Sequence, residues 1–381
     1  MDVFLILLIL ICTVSIERPY KLIVIFFLLI HFSLLAYNIT NHLPEVMWKA
    51  DPHSFLIWAK KLTTGSDYNF FGGGVKVYIY WLYFIFSYTF FLSYAVAGQL
   101  ASVLAWLITI LLIIKLGKVV NIYGVRMNLV LFLYCINPYD IILTTGTFRE
   151  PYMIMFIMMT CYFAIKLYRQ GGFINLLALL LSSLLASISH GGTMAAMAVF
   201  LLFLMLTYIA RVLLDKELHK SISIFIFLIT SVIGWYLISY FYPDYFHMIV
   251  SYSSKIPEAS SSYPLYIADK TYFSVILSWL YYMFYPFIWD VRSFVDIYAF
   301  MIGLLRFVLL YYSVKCFFLE ADIYQKRYTM LSLMLFLFIT LIYAIGTANY
   351  GTSMRHNILT FWIICIFGVK GMYLSKRKIC I

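Results

Sequence analysis

An all-α, polytopic membrane helix bundle is the fold class this sequence predicts, on three observations. Hydrophobic residues make up 64% of the 381 positions and charged residues only 11%, against about 45–50% and about 25% in soluble domains. With a mean hydropathy of +0.94, the chain carries more apolar surface than a soluble core of this length can hide, which excludes soluble enzyme folds. The apolar runs are continuous rather than alternating, which excludes a membrane β-barrel. Finally, the net charge of +11 sorts to one side of the spans, as the positive-inside rule requires. It is therefore read as a membrane-orientation signal and not as a nucleic-acid footprint.

A span needs about 20 apolar residues. Eleven stretches are read as spans: 2–16, 22–38, 98–115, 127–145, 151–167, 173–189, 193–210, 221–241, 298–319, 328–345 and 358–375, the first being short. Two more apolar stretches, 77–96 and 273–289, are read as re-entrant or interface-lying helices. The reason is charge. With the N-terminus outside and the C-terminus inside, 17 of the 27 basic residues and five of the 16 acidic ones fall on the cytoplasmic side. The outer side then holds nine basic and ten acidic residues. Letting either questionable stretch cross would degrade that sorting. The expected organisation is a single integral membrane domain over 1–381, with outer regions at 39–97 and 242–297.

The run over 2–16 is followed by Glu17-Arg18-Pro19-Tyr20-Lys21 rather than by a small-residue cleavage site, so no separate signal peptide is expected. Six cysteines, at 12, 135, 161, 316, 365 and 380, show no C-x-x-C or zinc spacing. Neither a disulfide framework nor a metal site is expected of them. No phosphate-cradling glycine loop or metalloprotease signature occurs, and Gly72-Gly73-Gly74 carries no specific signal.

The unusual residues cluster at the outer ends of the spans. Arg149-Glu150-Pro151 opens a span, with Glu150 placed to meet the helix dipole and Pro151 in the first turn. The orientation rule disfavours Arg149 on that side, and a planar guanidinium suits bidentate phosphate binding. A second outer loop carries His190-Gly191-Gly192, and a third carries Tyr350-Gly351-Thr352-Ser353-Met354-Arg355-His356. Arg355 fits an anion or sugar site, or a salt bridge with Asp290. His190 and His356 have the side chain whose ordinary pKa suits acid–base work, although His190 also reads as an interfacial histidine. Asp51 precedes Pro52 and an amphipathic stretch over 55–62, so it reads as a helix N-cap or as a general base. Asp290 and Arg292 are close enough in sequence to pair. Asp140 and Arg306 lie within spans, where charge defaults to function or mutual pairing, and His31 reads as a satisfied core histidine. Aromatics make up 20% of the chain. They suit an interfacial belt or a sugar-stacking platform.

Asp51 with its amphipathic helix, Arg149-Glu150 opening a span after Asn137-Pro138, Pro286-Phe287-Ile288-Trp289, and Gly351-Thr352-Ser353-Met354-Arg355-His356 before the last span together resemble an arrangement known from bacterial multi-span glycosyltransferases of the GT-C type. The closest likeness is to the O-antigen and capsule repeat-unit polymerases (Wzy-type). The resemblance covers most of the chain loosely and rests on arrangement more than motif. It implies a GT-C-like bundle in the bacterial inner membrane, N-terminus periplasmic and C-terminus cytoplasmic. There it would transfer a glycan from undecaprenyl diphosphate to another lipid-linked repeat unit, without cofactor or obligatory metal. Asp51, His356 and His190 would then be the catalytic candidates. Arg149, Glu150, Arg292, Arg355 and Tyr350 would bind the diphosphate and sugar. The partners implied are the undecaprenyl-diphosphate-linked oligosaccharide, membrane lipid, a chain-length regulator and a flippase, with no nucleic acid. Two alternatives stand beside this reading. One is a GT-C transferase using a polyprenyl-phosphate sugar. The other is a transporter of polysaccharide or lipid-linked oligosaccharide, for which polar groups near the bilayer midplane would be expected.

Overall fold

Backbone groups in hydrocarbon must bond within their own segment, so long apolar runs become helices. The computed structural model, which describes residues 1–41, 51–64, 73–214, 226, 229–230, 272–347 and 350–379, is accordingly helical throughout its regular elements. They are α1 (Asp2–Ser15), α2 (Arg18–Asn41), α3 (Asp51–Thr63), α4 (Gly73–Ser87), α5 (Tyr94–Val119), α6 (Val125–Cys135), α7 (Pro138–Thr144), α8 (Glu150–Gln170), α9 (Phe173–Ser189), α10 (Gly191–Leu214), α11 (Tyr272–Phe284), a 3-10 turn at Ile288–Asp290, α12 (Phe294–Leu319), α13 (Ile323–Gly346) and α14 (Tyr350–Ile379).

Among the described residues seven helices are long and apolar enough to cross a membrane, at Arg18–Tyr37, Tyr94–Val119, Glu150–Gln170, Gly191–Ile209, Phe294–Leu319, Ile323–Gly346 and Gly351–Lys376. Each matches one of the eleven expected spans. The expected span over 127–145 is broken: α6 and α7 meet at 66° and make an eighth crossing only as a bent pair. Asn137 supplies the break, its backbone extended at φ −69°, ψ 110° and its side-chain oxygen accepting from Tyr139 N at 3.1 Å. A residue before proline is pushed out of the helical region. Two other expected spans form shorter helices, α1 with 14 residues and α9 with 17. The expected span 221–241, Glu45, Gly72 and the Ser260–Ser262 turn lie outside the described residues. The stretches read as re-entrant or interfacial form α4 (15 residues) and α11 (13 residues), neither of membrane length.

The chain divides into two units, Met1–Phe163 with Gly172–Gly191, and Ala164–Gly171 with Gly192–Ile381. In the first, α1 and α2 pack on α5, α3 pairs with α4, and α2 also packs on α6 and α7. The α5–α6 turn passes through Asn121 (φ 62°) and Gly124 (φ 57°), and the left-handed region favours glycine at the second. The buried Asp2 ties the first helix to the α4–α5 link. Its Oδ2 accepts the backbone N–H of Phe90, Phe91 and Leu92 at 3.0, 2.6 and 3.2 Å.

In the second unit α12 and α14 form the most extensive helix pair. Small residues permit it. A Cβ on Gly368 would stand 2.8 Å from the Leu309 carbonyl oxygen, and one on Gly371 would collide with the Tyr312 carbonyl. Ser313 Oγ reaches the Ile364 carbonyl at 3.3 Å on the same seam. Without a hydrophobic drive between helices in lipid, such close approach is the main source of helix association. At one end of α14 the buried Lys370 ammonium meets Glu320 at 2.6 Å and donates to Gln325 Oε1 at 2.9 Å.

Candidate functional site

The first unit places Arg149, Glu150, His190 and Asp51 on one set of packed elements. Arg149 precedes α8, and its carbonyl accepts from Tyr152 N and Met153 N, so it holds the N-cap position. Its side chain is half-buried. Nη1 donates to the Ser189 carbonyl, the last residue of α9, at 3.4 Å. A cation there meets the negative end of the α9 dipole. Arg149 Nε is buried with no hydrogen-bond partner among the described residues. Glu150 opens α8, as the sequence predicts, and is 1% exposed. His190 follows α9 in extended conformation and is partly exposed.

Aromatic rings join this corner to α3. Phe55 on α3 meets Tyr78 on α4 edge-on at 5.4 Å, and Tyr78 meets Tyr152 at 5.8 Å. Trp81 meets Tyr152 at 6.1 Å. Tyr152 is three residues past Arg149, and Phe55 is four past Asp51. Asp51 is the first residue of α3, while its side chain lies outside what the structure describes.

The second unit holds Arg292, Tyr350, Arg355 and His356. His356 is partly exposed, and its ring meets Tyr343 edge-on at 4.6 Å. The Tyr343 hydroxyl bonds Thr193 Oγ1 at 2.8 Å. Asn357 donates to the Tyr282 carbonyl at 2.7 Å, which fixes the start of α14 against α11. Arg355 is partly exposed, and Tyr350 opens α14 with its side chain outside the described set. Arg292 is exposed, and its backbone N–H, not its guanidinium, is engaged, by Asp296 at 3.0 Å. The sequence offered Asp290 as a partner for Arg292 or for Arg355. Among the described residues Asp290 forms no ion pair.

A third group was not read as a site from sequence. Asp140, fully buried on α7, accepts from Trp106 Nε1 at 2.8 Å and from the Tyr134 hydroxyl at 3.1 Å. Both partners are neutral donors of the same unit. The Trp106 ring lies 4.2 Å from the His31 ring, centroid to centroid, at a tilt of 38°. His31 is not the fully satisfied core histidine expected. Its Nδ1 bonds the Phe27 carbonyl at 2.7 Å, while Nε2 is buried without a partner among the described residues. Asn137 Nδ2, three residues before Asp140, is likewise buried and unpartnered.

The chain matches no family model, no curated protein and no solved structure.

What stands is a polytopic, all-α membrane protein with seven membrane-length helices, or eight with the bent pair. The signal for the buried group was available in sequence: Asn137-Pro138 predicts a break within an apolar run, and Asp140 lies just after it. Its partners, from 34 and 109 positions upstream in the case of Trp106 and His31, were not readable without the packing of α2 against α5.

Proposed function

We propose that this chain joins lipid-linked oligosaccharide repeat units at the outer face of a bacterial inner membrane, as a glycosyltransferase acting on polyprenyl-diphosphate glycans. One observation carries the reading. Arg149 is an outer-side arginine that the orientation rule leaves unexplained. Its bond to Ser189 is long at 3.4 Å, and its Nε has no partner among the described residues. Donors of this kind suit an incoming diphosphate, whose charge grows as it departs from the sugar. The ring of Trp81, exposed on α4 and in edge contact with Tyr152, offers a face for sugar stacking. In the reaction, the acceptor hydroxyl oxygen bonds the anomeric carbon as the bond to the diphosphate oxygen breaks. The hydroxyl proton passes to a base, for which Asp51 and His190, in the same unit as Arg149, are the candidates.

The test replaces Arg149 and Arg355 separately by Ala and examines surface polysaccharide on a gel. The expected result is collapse of a ladder to single repeat units, with the protein retained in the membrane. An unchanged ladder in both variants overturns the assignment.

A second reading, movement of lipid-linked oligosaccharide across the membrane, is favoured by the buried polar group around Asp140. Polar side chains midway along spans are what a carrier requires. Which leaflet holds the accumulating lipid-linked unit in a deletion strain separates the two: the outer one for a polymerase, the inner one for a carrier.

A further inference from the structure

We infer that His31, Trp106 and Asp140 form a proton-binding site at mid-depth in the first unit, separate from the outer corner around Arg149. Depth comes from helix position. Trp106 stands 12 residues from the start of the 26-residue α5 and 13 from its end. His31 stands 13 residues from the start of the membrane-length stretch Arg18–Tyr37 and six from its end. At about 1.5 Å per residue Trp106 lies some 18 Å or more from either end of its span, and His31 about 9 Å from the nearer end of its own. Ionisable groups at that depth are costly and are kept for pathways and relays.

The hydrogen bonds fix the proton inventory. A carbonyl oxygen only accepts, so the 2.7 Å contact with Phe27 O puts the His31 proton on Nδ1. Nε2 is then a basic lone pair, fully buried and without a partner among the described residues. Indole N–H only donates, and Tyr134 donates to the other oxygen, so both Asp140 oxygens accept and the set suits a carboxylate. Trp106 lies between the two. One edge gives its N–H to Asp140, which enriches the ring in electrons, and its face lies 4.2 Å from the imidazole. That arrangement stabilises an imidazolium by cation–π attraction and leaves Asp140 as its counter-charge. Protonation adds one H⁺ at Nε2 and breaks no bond. The proton comes from water and returns to it. Asn137 Nδ2, three residues before Asp140 in sequence, is a further buried donor without a partner among the described residues.

Few other charges face the site. On α7 the titratable groups are Tyr139 and Asp140, and on α6 they are Arg126, Tyr134 and Cys135, with Arg126 eight residues from Tyr134 at the start of the helix. Lys115 and Lys118 on α5 are nine and 12 residues past Trp106, and Lys118 is engaged by Glu17. On α1, Cys12 is partly exposed and Asp2 is held by the backbone of 90–92. On α2 itself, Arg18, Tyr20 and Lys21 lie at the far end of the helix, where the Tyr20 hydroxyl accepts from Gly124 N, and Tyr37 is six residues past His31.

The test is spectroscopic and needs no activity. The full chain is labelled with ¹⁵N-histidine, and the His31 signal is found as the one absent from His31→Gln. At neutral pH it should show the Nδ1–H tautomer. On acidification it should convert to imidazolium, and Asp140→Asn should move the midpoint down by one pH unit or more. Tryptophan fluorescence of the unaltered chain should fall over the same pH interval, by an amount missing in Trp106→Phe. This second readout holds even if Asp140→Asn fails to fold. A His31 signal that stays neutral down to pH 4, or a fluorescence change identical in Trp106→Phe, overturns the proposal.

Discussion

Trp106 donates its indole N–H to Asp140 at 2.8 Å inside a span, across 34 positions of sequence. The bond joins α5 to the far side of the break between α6 and α7, so the bent pair is held by a polar contact as well as by packing. Trp106→Phe keeps most of the ring and removes the donor. It should lower stability by about 1–3 kcal/mol, the cost of leaving a buried acceptor short of a partner. Thermal unfolding of the purified protein in detergent reads this, and Tyr134→Phe should cost about 1 kcal/mol by the same measure.

Arg149 should separate stability from function. Its bond to Ser189 is long and its side chain half-buried, so Arg149→Ala should lower stability by no more than about 1 kcal/mol. Product formation should nevertheless fall by about 100-fold or more, on the scale seen when one electrostatic stabiliser of a transition state is removed. Arg149→Lys should recover only part of it, since an ammonium cannot reproduce the guanidinium fork. Gel analysis of polysaccharide and an unfolding curve on the same preparation check both halves.

The α12–α14 seam should not tolerate a methyl group. In Gly371→Ala the added carbon meets the Tyr312 backbone, which cannot swing away as a side chain could. The expected loss is about 1–3 kcal/mol. Gly171→Ala is the contrast: the space there is open and only the φ of 63° resists, so a loss of about 1 kcal/mol is expected. Comparing their unfolding midpoints separates steric from backbone cost.

Lys370 should be hard to remove. Lys370→Met strips the ammonium from Glu320 and Gln325, leaving a carboxylate that is 11% exposed without its cation. About 3–5 kcal/mol is expected. The double variant Lys370→Met with Glu320→Gln should recover a large part, which a double-mutant cycle will show.

Asp2 gives the pH dependence. Burial works against its charge. The bonds from Phe91, Phe90 and Leu92 outweigh that burial and hold the carboxyl below the ordinary carboxylate value of 3.8. A depressed folded pKa means its stabilisation is complete above the unfolded pKa and is lost as pH falls through the folded one. Amide exchange at Phe90, Phe91 and Leu92, corrected for intrinsic rate, should stay slow at pH 5 and accelerate only well below 3.8. In Asp2→Asn it should be about tenfold faster already at pH 5.

Hydropathy made the long helices legible, because a run of 18 or more apolar residues has few alternatives to crossing. Where runs were apolar but short, as at α1 and α9, the helices that form have 14 and 17 residues, below the 18 that mark a membrane-length helix. Hydropathy also overlooked that Pro138 would split 127–145 although the residue pair Asn137-Pro138 was in plain view. The candidate residues were singled out by charge sorting, and Arg149 and Glu150 do sit at the helix start where the sequence puts them. Their neighbours were not legible. Ser189 faces Arg149 because α9 returns to the start of α8, and Tyr78 on α4 meets Tyr152 on α8 across 74 positions of sequence. Side-chain pairing across helices depends on rotation about each helix axis, which a 3.6-residue period constrains only when one face is clearly polar. These spans are apolar on every side.

The glycines of the α12–α14 seam also bear on what surrounds α14 in the membrane. α14 begins with Gly351, Thr352, Ser353, Arg355, His356 and Asn357 and is the most enclosed of the seven membrane-length helices, yet it is among the less apolar of them. Lipid alone is a poor host for such a segment. Its place is made by α12, whose backbone it touches at Gly368 and Gly371. The seam with α12 therefore gives α14 close backbone contact that lipid cannot supply, and a helix with so polar a start is housed by its neighbour more than by its own hydropathy.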